Sequence, residues 1–195
     1  ASAVPSALPS VFATTHGDLA ITDYLCAILL GSPLHTSPTR FHNSVHNAAA
    51  GYWCIASDCH APYTTVSVAG FSCAAGLLEA FVQLAADAGP VLYVAYDTGA
   101  CGPLANVVTS RGLLGVALVL APERGARTIA EISWSVCRGS AGQAALPRPE
   151  HAKLVGGNAM APSLPLFEAL ARRAGRIKLA LGPDILLELD VKDAA

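Results

Sequence analysis

Apolar and polar positions follow two rhythms along this chain, and the changes from one to the other mark its elements. Leu8 to Thr14 is a short apolar segment that stops at His16-Gly17-Asp18. Beyond it, Leu19, Tyr24, Leu25, Ile28 and Leu29 recur at helical spacing within Leu19 to Leu30, which predicts strand, turn, helix. Ser32 to Asn43, rich in proline, serine and histidine, predicts an irregular loop. The alanine-rich stretch Ser44 to Ser57 predicts a helix capped by Ser44 or Asn43. Tyr63 to Val68 follows Pro62 as a strand, and the chain turns at Ala69-Gly70 into a long helix, Ser72 to Ala88, closed by Gly89-Pro90.

Val91 to Tyr96 has the continuous apolar character of a buried strand. Gly112 to Ala121 and Thr128 to Val136 predict two more strands, joined through Pro122-Glu123-Arg124-Gly125 in a hairpin-like arrangement. Arg138 to Met160 turns rich in Gly, Ala and Pro and loses its period, so a mobile connector is expected over about 137–162. Ser163 to Arg173 predicts a short helix with Pro165 in its first turn, and Ile177 to Leu181 and Ile185 to Val191 predict closing strands. Helices interleaved with strands buried on both faces predict a layered α/β sandwich, organised as a single domain over residues 1–195. No internal repeat or low-complexity tract interrupts it.

Composition narrows the function. Only 13% of the 195 residues are charged and the formal net charge is −2, so there is no basic field to collect nucleic acid or anionic lipid. The mean hydropathy of +0.47 is high, yet apolar runs such as Leu113 to Ala121 fall short of the roughly 20 residues that span a bilayer. The excess apolar surface is therefore expected to be buried against a partner, not in a membrane. Ala1 to Ser10 has no basic segment followed by an apolar core, which leaves a cytoplasmic setting as the expectation. The six cysteines form no CxxC pair and are expected to be small buried side chains, not a disulfide frame or a zinc knuckle.

The stretch Thr65 to Leu78, TVSVAGFSCAAGLL, is where a nucleophile would be placed, because amides at a helix start stabilise negative charge. If the strand ends at Ala69, the turn position is Gly70, which has nothing to offer. Cys73 lies three positions on, rotated by about 300° and advanced by about 4.5 Å on a helix. His42 and His46 are four apart, a spacing that can bind zinc on one helix face, with Cys59 and His60 further along. The glutamate of an HExxH site is absent, so hydrogen bonding of the loop entering the helix is expected there, with no metal. Gly99 to Gly102 predicts a turn, and Asp18, Asp23, Asp87 and Asp97 predict exposed or capping carboxylates.

Asn47 to Gly76 resembles the core of β-ketoacyl synthases, the condensing enzymes of the thiolase fold. There an Asn-x-x-Ala-Gly helix leads through a Gly-Pro turn into a strand ending in Ala-Cys. Asn47, Ala50, Gly51, Pro62 and Ala69 match that pattern, the nucleophile falls on Gly70, and Gly115 to Glu123 is similar to a later strand. A closer resemblance is to the β-ketoacyl synthase-like N-terminal domains, which include chain-length-factor subunits of aryl-polyene pathways. It is carried by Val11 to Leu19, by Ser37 to Gly51 with Ser-Val-His-Asn at Ser44 to Asn47, by Gly70 to Glu79, and by Asn158-Ala159 with Leu164 to Ala171. Complete condensing enzymes carry a further strand and helix before the Leu8 segment, so a truncated or shortened form of the fold is expected.

The resemblance implies a thiolase-like α/β/α sandwich with a mixed sheet and, since Gly70 cannot be acylated, a non-catalytic subunit. The two histidines that serve decarboxylation in the family have no counterpart after Val136, where only His151 occurs. The implied partner is an active ketosynthase joined along Tyr63 to Val68 as a heterodimer, with acyl carrier protein reached through the complex and no cofactor required. Arg40, Phe41, Tyr52 and Trp53 are then candidates for bounding the partner's acyl tunnel, and Tyr63, Val66, Val68 and Phe71 for the interface. The competing expectations are a condensing enzyme that uses Cys73, a metal hydrolase built on His42 and His46, and a purely structural homodimer.

Overall fold

The computed structural model describes residues 4–155 and 157–194, so the first three positions of the expected domain, one glycine of the expected connector and the last residue lie outside the described residues. The elements in chain order are β1 (Ser10–Ala13), α1 (Leu19–Gly31), α2 (Pro38–Asn43), α3 (Ala48–Ser57), β2 (Tyr63–Val66), α4 (Ser72–Asp87), β3 (Val91–Asp97), β4 (Leu114–Leu120), β5 (Ala130–Arg138), α5 (Pro149–Val155), α6 (Leu164–Arg172), β6 (Gly175–Ala180) and β7 (Ile185–Asp193). Short 3₁₀ turns fill some of the connections.

Two sheets result. The first is mixed, in the order β2-β1-β3-β4, with β1 parallel to both β2 and β3 and β4 antiparallel to β3. The second is antiparallel, in the order β5-β7-β6. Helix α4 lies between them. Ala74, Leu77 and Ala80 join Val11, Ala13 and Tyr93 of the first sheet and Leu187, Leu189 and Val191 of the second in one buried cluster, to which α6 adds Leu166 and Leu170. Gly76 permits the close approach of α4 to β1, since a Cβ there would fall 2.6 Å from the Cβ of Ala13. On the far side of the first sheet α3 packs on β1 and β2. The architecture is a thiolase-like α/β/α sandwich closed by a second sheet.

Several expectations change. The strands β4 and β5 form no hairpin, because β4 completes the first sheet and β5 pairs with β7 in the second. Each strand has one apolar side, and α4 needs cover on two sides, so the pair separates and faces the helix from opposite directions; Trp134 of β5 stacks on Phe81 of α4 at 5.4 Å between centroids. The expected loop at Ser32 to Asn43 contains α2, where the Oγ of Ser37 accepts from the amide of Arg40 and Pro38 takes the first turn. Ser-Pro is a cap followed by a first-turn proline, a signal for helix start within a stretch that composition marks as loop. Helix α3 starts at Ala48 after Asn47 and not at Ser44, whose hydroxyl instead donates to the carbonyl of Phe41 at the end of α2.

The span 137–162 carries the end of β5, a 3₁₀ turn at Ala141–Gln143 and α5, and ends in buried Asn158 and Met160. Of the six cysteines only Cys59 and Cys73 are buried, with Cys26 exposed and Cys54, Cys101 and Cys137 half-buried. The stretch Ala69–Asp87 is long and apolar enough to cross a bilayer, which the shorter runs singled out in the sequence are not. It is apolar because it is the middle layer, flanked by sheets.

Candidate functional site

The turn that precedes α4 is short and strained. Strand β2 ends at Val66, earlier than the sequence predicts, and Ala69 adopts φ 43°, the left-handed region that costs a residue with a Cβ about 1 kcal/mol or more. Ser72, fully buried, holds the turn: its hydroxyl accepts from the amide of Val68 at 2.8 Å and donates to the carbonyl of Ala69 at 2.8 Å. The amide of Phe71 bonds the carbonyl of Val68 at 2.8 Å. Gly70 sits at the crown of this arrangement. A Cβ built on it meets nothing within 4 Å, so neither packing nor a positive φ demands glycine there.

Cys73 is one turn below the crown, 3% exposed in the buried cluster and on the wall of the cavity that opens at the turn. The hydroxyl of Tyr93 donates to the Cys73 carbonyl at 2.8 Å and lies 3.3 Å from its sulfur. Burial pushes the Cys73 thiol up to about 11, with the Tyr93 contact offsetting a little of that rise. The helix start therefore does not activate it, since desolvation outweighs the dipole. Burial likewise raises the Tyr93 phenol well above its ordinary range. A cavity of about 390 Å³ opens beside Gly70, Phe71, Cys73 and Ala74, with Ala144, Leu146 and Leu179 on its other walls, and no histidine lines it.

The expected partner-facing residues fall on connected elements. Arg40 lies 3.9 Å over the ring of Tyr24, which ties α2 to α1. The Tyr52 hydroxyl donates to Asn43 at 2.8 Å, which ties α3 to α2. Phe41, Tyr52, Tyr63 and Val68 are exposed, Val66 is half-buried against the core, and Phe71 faces the cavity beside Gly70. Trp53 is half-buried with its indole Nε1 enclosed and without a hydrogen-bond partner, as is the Thr65 hydroxyl on β2. Among the described residues strand β2 pairs only with β1, which leaves its outer edge free. The structure thus gathers Arg40, Phe41, Tyr52, Trp53 and Tyr63 on α2, α3 and β2, and places Phe71 apart at the head of α4.

His42 ends α2, whereas His46 belongs to the turn after it, against Gly17, so the pair does not share one helix face. Among the described residues no three His, Cys, Asp or Glu side chains converge as metal ligands. Asp18 caps α1 as the sequence predicts, accepting from the amides of Ala20 and Ile21. Asp97 does not follow its expected role, since it is fully buried at the end of β3. It accepts from the Thr14 hydroxyl at 3.0 Å and from the amides of Thr15 at 2.8 Å and His16 at 2.9 Å. Asn158 completes this knot, donating to the carbonyls of Asp97 and Arg111 at 3.0 Å and accepting from the amide of Met160. The sequence signal was slight: an aspartate directly after an apolar strand, which is also what an exposed strand end looks like.

The layers, the parallel core strands and the turn before α4 define a thiolase-like fold. The chain matches the beta-ketoacyl synthase N-terminal domain over residues 2–177 and belongs to that family. Two solved structures share the fold. One is the ketosynthase ApeO in complex with its chain length factor ApeC from Xenorhabdus doucetiae, with TM-score 0.72 and 21% identity over 94% of this chain and 69% of that one. The other is the ishigamide ketosynthase/chain length factor, with TM-score 0.70 and 18% identity over 100% of this chain and 75% of that one. No curated protein matches.

Proposed function

We propose that this chain is a non-catalytic β-ketoacyl synthase-like subunit, a chain length factor that pairs with an active ketosynthase and bounds its acyl tunnel. The observation that carries the reading is the state of the two candidate anchors: Gly70 offers no side chain at the turn, and the Cys73 thiol, 3% exposed and 3.3 Å from the Tyr93 hydroxyl, is pushed up to about 11. A thiolate is required to hold an acyl group, and neither position supplies one at neutral pH. Both fold relatives are described as ketosynthases with chain length factors, which supports the pairing.

Pairing runs along the free edge of β2, adding main-chain hydrogen bonds across the interface, with Tyr63, Val66, Val68 and Phe71 on this chain's side. Arg40, Phe41, Tyr52 and Trp53 on α2 and α3 then set how long a chain the partner accommodates. The enclosed, unpartnered Trp53 Nε1 is a donor that the complex can satisfy. The acyl carrier protein delivers to the ketosynthase and not to this subunit, and the aryl-polyene class of product and the cytoplasmic setting follow from the family resemblance.

The test is co-expression with the ketosynthase encoded nearest in the genome, purification through a tag on this chain, and intact-mass analysis after exposure to an acylated carrier protein. Co-purification with an acyl adduct on the ketosynthase alone is expected. An adduct on Cys73 of this chain would replace the reading with a condensing enzyme.

A further inference from the structure

Two cysteines meet where α3 ends. The helix closes on a left-handed residue: Asp58 adopts φ 49°, its amide bonds the Ile55 carbonyl at 3.4 Å, and the Cys59 amide bonds the Cys54 carbonyl at 2.8 Å. This pair of bonds is the Schellman closure, in which the side chains of the two outermost residues, here Cys54 and Cys59, pack on each other. With standard backbone dimensions the 2.8 Å bond holds the two Cα atoms within about 6.7 Å, inside the roughly 4.4–6.8 Å that a disulfide spans. The two thiols differ in access. Cys54 is half-buried, whereas Cys59 is 6% exposed and its Sγ donates to the Leu8 carbonyl at 3.6 Å. Burial raises the Cys54 thiol above its ordinary value, and the adjoining Cys59 adds to that rise. Cys73, Cys101 and Cys137 take other partners: Tyr93, the Leu19 carbonyl and Glu188.

We propose that Cys54 and Cys59 are a redox-sensitive dithiol, closed to a disulfide by a low-molecular-weight disulfide such as oxidised glutathione. Cys54 gives its proton to water and its sulfur attacks one sulfur of the reagent; the reagent's S–S bond breaks, one glutathione thiolate leaves, and Cys54 keeps the other half as a mixed disulfide. Cys59 then loses its proton and attacks the Cys54 sulfur, and the second glutathione thiolate leaves. The two cysteines lose two electrons in all, one oxidised glutathione is reduced to two glutathiones, and the two protons end on the departing thiolates. Access sets the order: half-buried Cys54 is the sulfur a dissolved reagent reaches, and enclosed Cys59 needs to reach only its neighbour. Because the Cys54 thiol is held above its ordinary value, its thiolate fraction is small at neutral pH and closure speeds up as the pH rises. The bond ties the end of α3, just after Trp53, to the segment that enters β2 at Tyr63. The pair lies within this chain alone and stands whether or not the chain joins a ketosynthase.

The test is exposure of the native full chain to excess oxidised glutathione at about pH 8, then acid quench, labelling in denaturant with N-ethylmaleimide, and chymotryptic mapping, which releases residues 54–63 by cleavage after Trp53 and Tyr63. That peptide should become lighter by two hydrogens, its labelling should fall at least about tenfold, and dithiothreitol should reverse both changes. Cys59→Ser should stop at a glutathione adduct on Cys54, and Cys54→Ser should leave Cys59 unmodified. Cys26→Ser, on exposed α1, should leave the closure as it was. If a cysteine variant does not fold, the wild-type peptide decides. The proposal is overturned if Cys54 and Cys59 stay free while Cys26 acquires glutathione, if the wild-type reaction stops at the mixed disulfide, or if either sulfur closes onto any other cysteine.

Discussion

On the side of the first sheet, Leu30 at the end of α1 and Leu34 just after it are 91% and 97% exposed, and Ile55 of α3 is 78% exposed. The outer face of the second sheet presents Arg176, Lys178, Glu188, Asp190, Ser133 and Ser135 instead. There Asp190 meets Arg176 at 3.7 Å and Lys192 at 3.4 Å, while Ile177, Leu179, Leu187 and Leu189 turn inward. One face is finished in water by period-two alternation; the other keeps apolar side chains and a free strand edge in solvent. Contiguous apolar surface rimmed by polar groups marks association, because leaving it exposed forgoes the burial that drives folding elsewhere. Part of the high hydropathy of the chain thus lies on this side, where Ile55 shares α3 with Tyr52 and Trp53 and Leu34 precedes the α2 that carries Arg40 and Phe41.

The largest expected effect breaks the frame that both faces share. Asp97→Ala removes a buried acceptor of three hydrogen bonds and should cost about 3 kcal/mol or more of stability, read as a lowered denaturant midpoint. Pairing should weaken along with it, and an unchanged midpoint would dismiss the knot as a support. A face-specific change should separate the two. Leu30→Asp with Leu34→Asp should weaken ketosynthase pairing by about a hundredfold, or about 2.7 kcal/mol, while Ser133→Asp on the second sheet leaves it as it was. Equal losses from both faces, measured by surface plasmon resonance, would erase the distinction.

Trp134→Ala tests the inner side of the second sheet. The ring stacks on Phe81 but remains 39% exposed, so a loss of about 1–2 kcal/mol, below that of a fully buried tryptophan, is expected in thermal unfolding. The smallest effect concerns acid. Partial burial pushes the Glu168 carboxyl up, but the Arg148 amide and His151 outweigh it and hold it below its ordinary value of 4.5. A lowered folded value means that the contribution is present above pH 4.5 and is lost as the pH falls through the folded value. Glu168→Gln should therefore flatten the stability profile below that point and leave the apolar face unaffected.

Thiol chemistry gives an independent check. Cys26 is exposed and should react readily with iodoacetamide at pH 8, whereas Cys73, at about 11, holds only about one part in a thousand as thiolate and is enclosed. Peptide mapping that finds Cys73 labelled first would contradict its burial and raised value.

The sequence alone determined what depends on neighbours along the chain. The periods of α1, α4, β3 and β7, the cap at Asp18 and the missing side chain at Gly70 are all legible because each rests on residues a few positions apart. Tertiary structure decided what depends on distant partners. Two strands with one apolar side each can lie edge to edge or face one another across a helix, and only the need of α4 for cover on both sides separated β4 from β5. Asp97 looked like an exposed carboxylate until Thr14, more than eighty residues earlier, came within 3.0 Å of it. Cys73 could be expected to be activated by a helix start until Tyr93 and the core closed over it, because a thiolate's energy is set by the solvent it loses, and that loss is decided by packing.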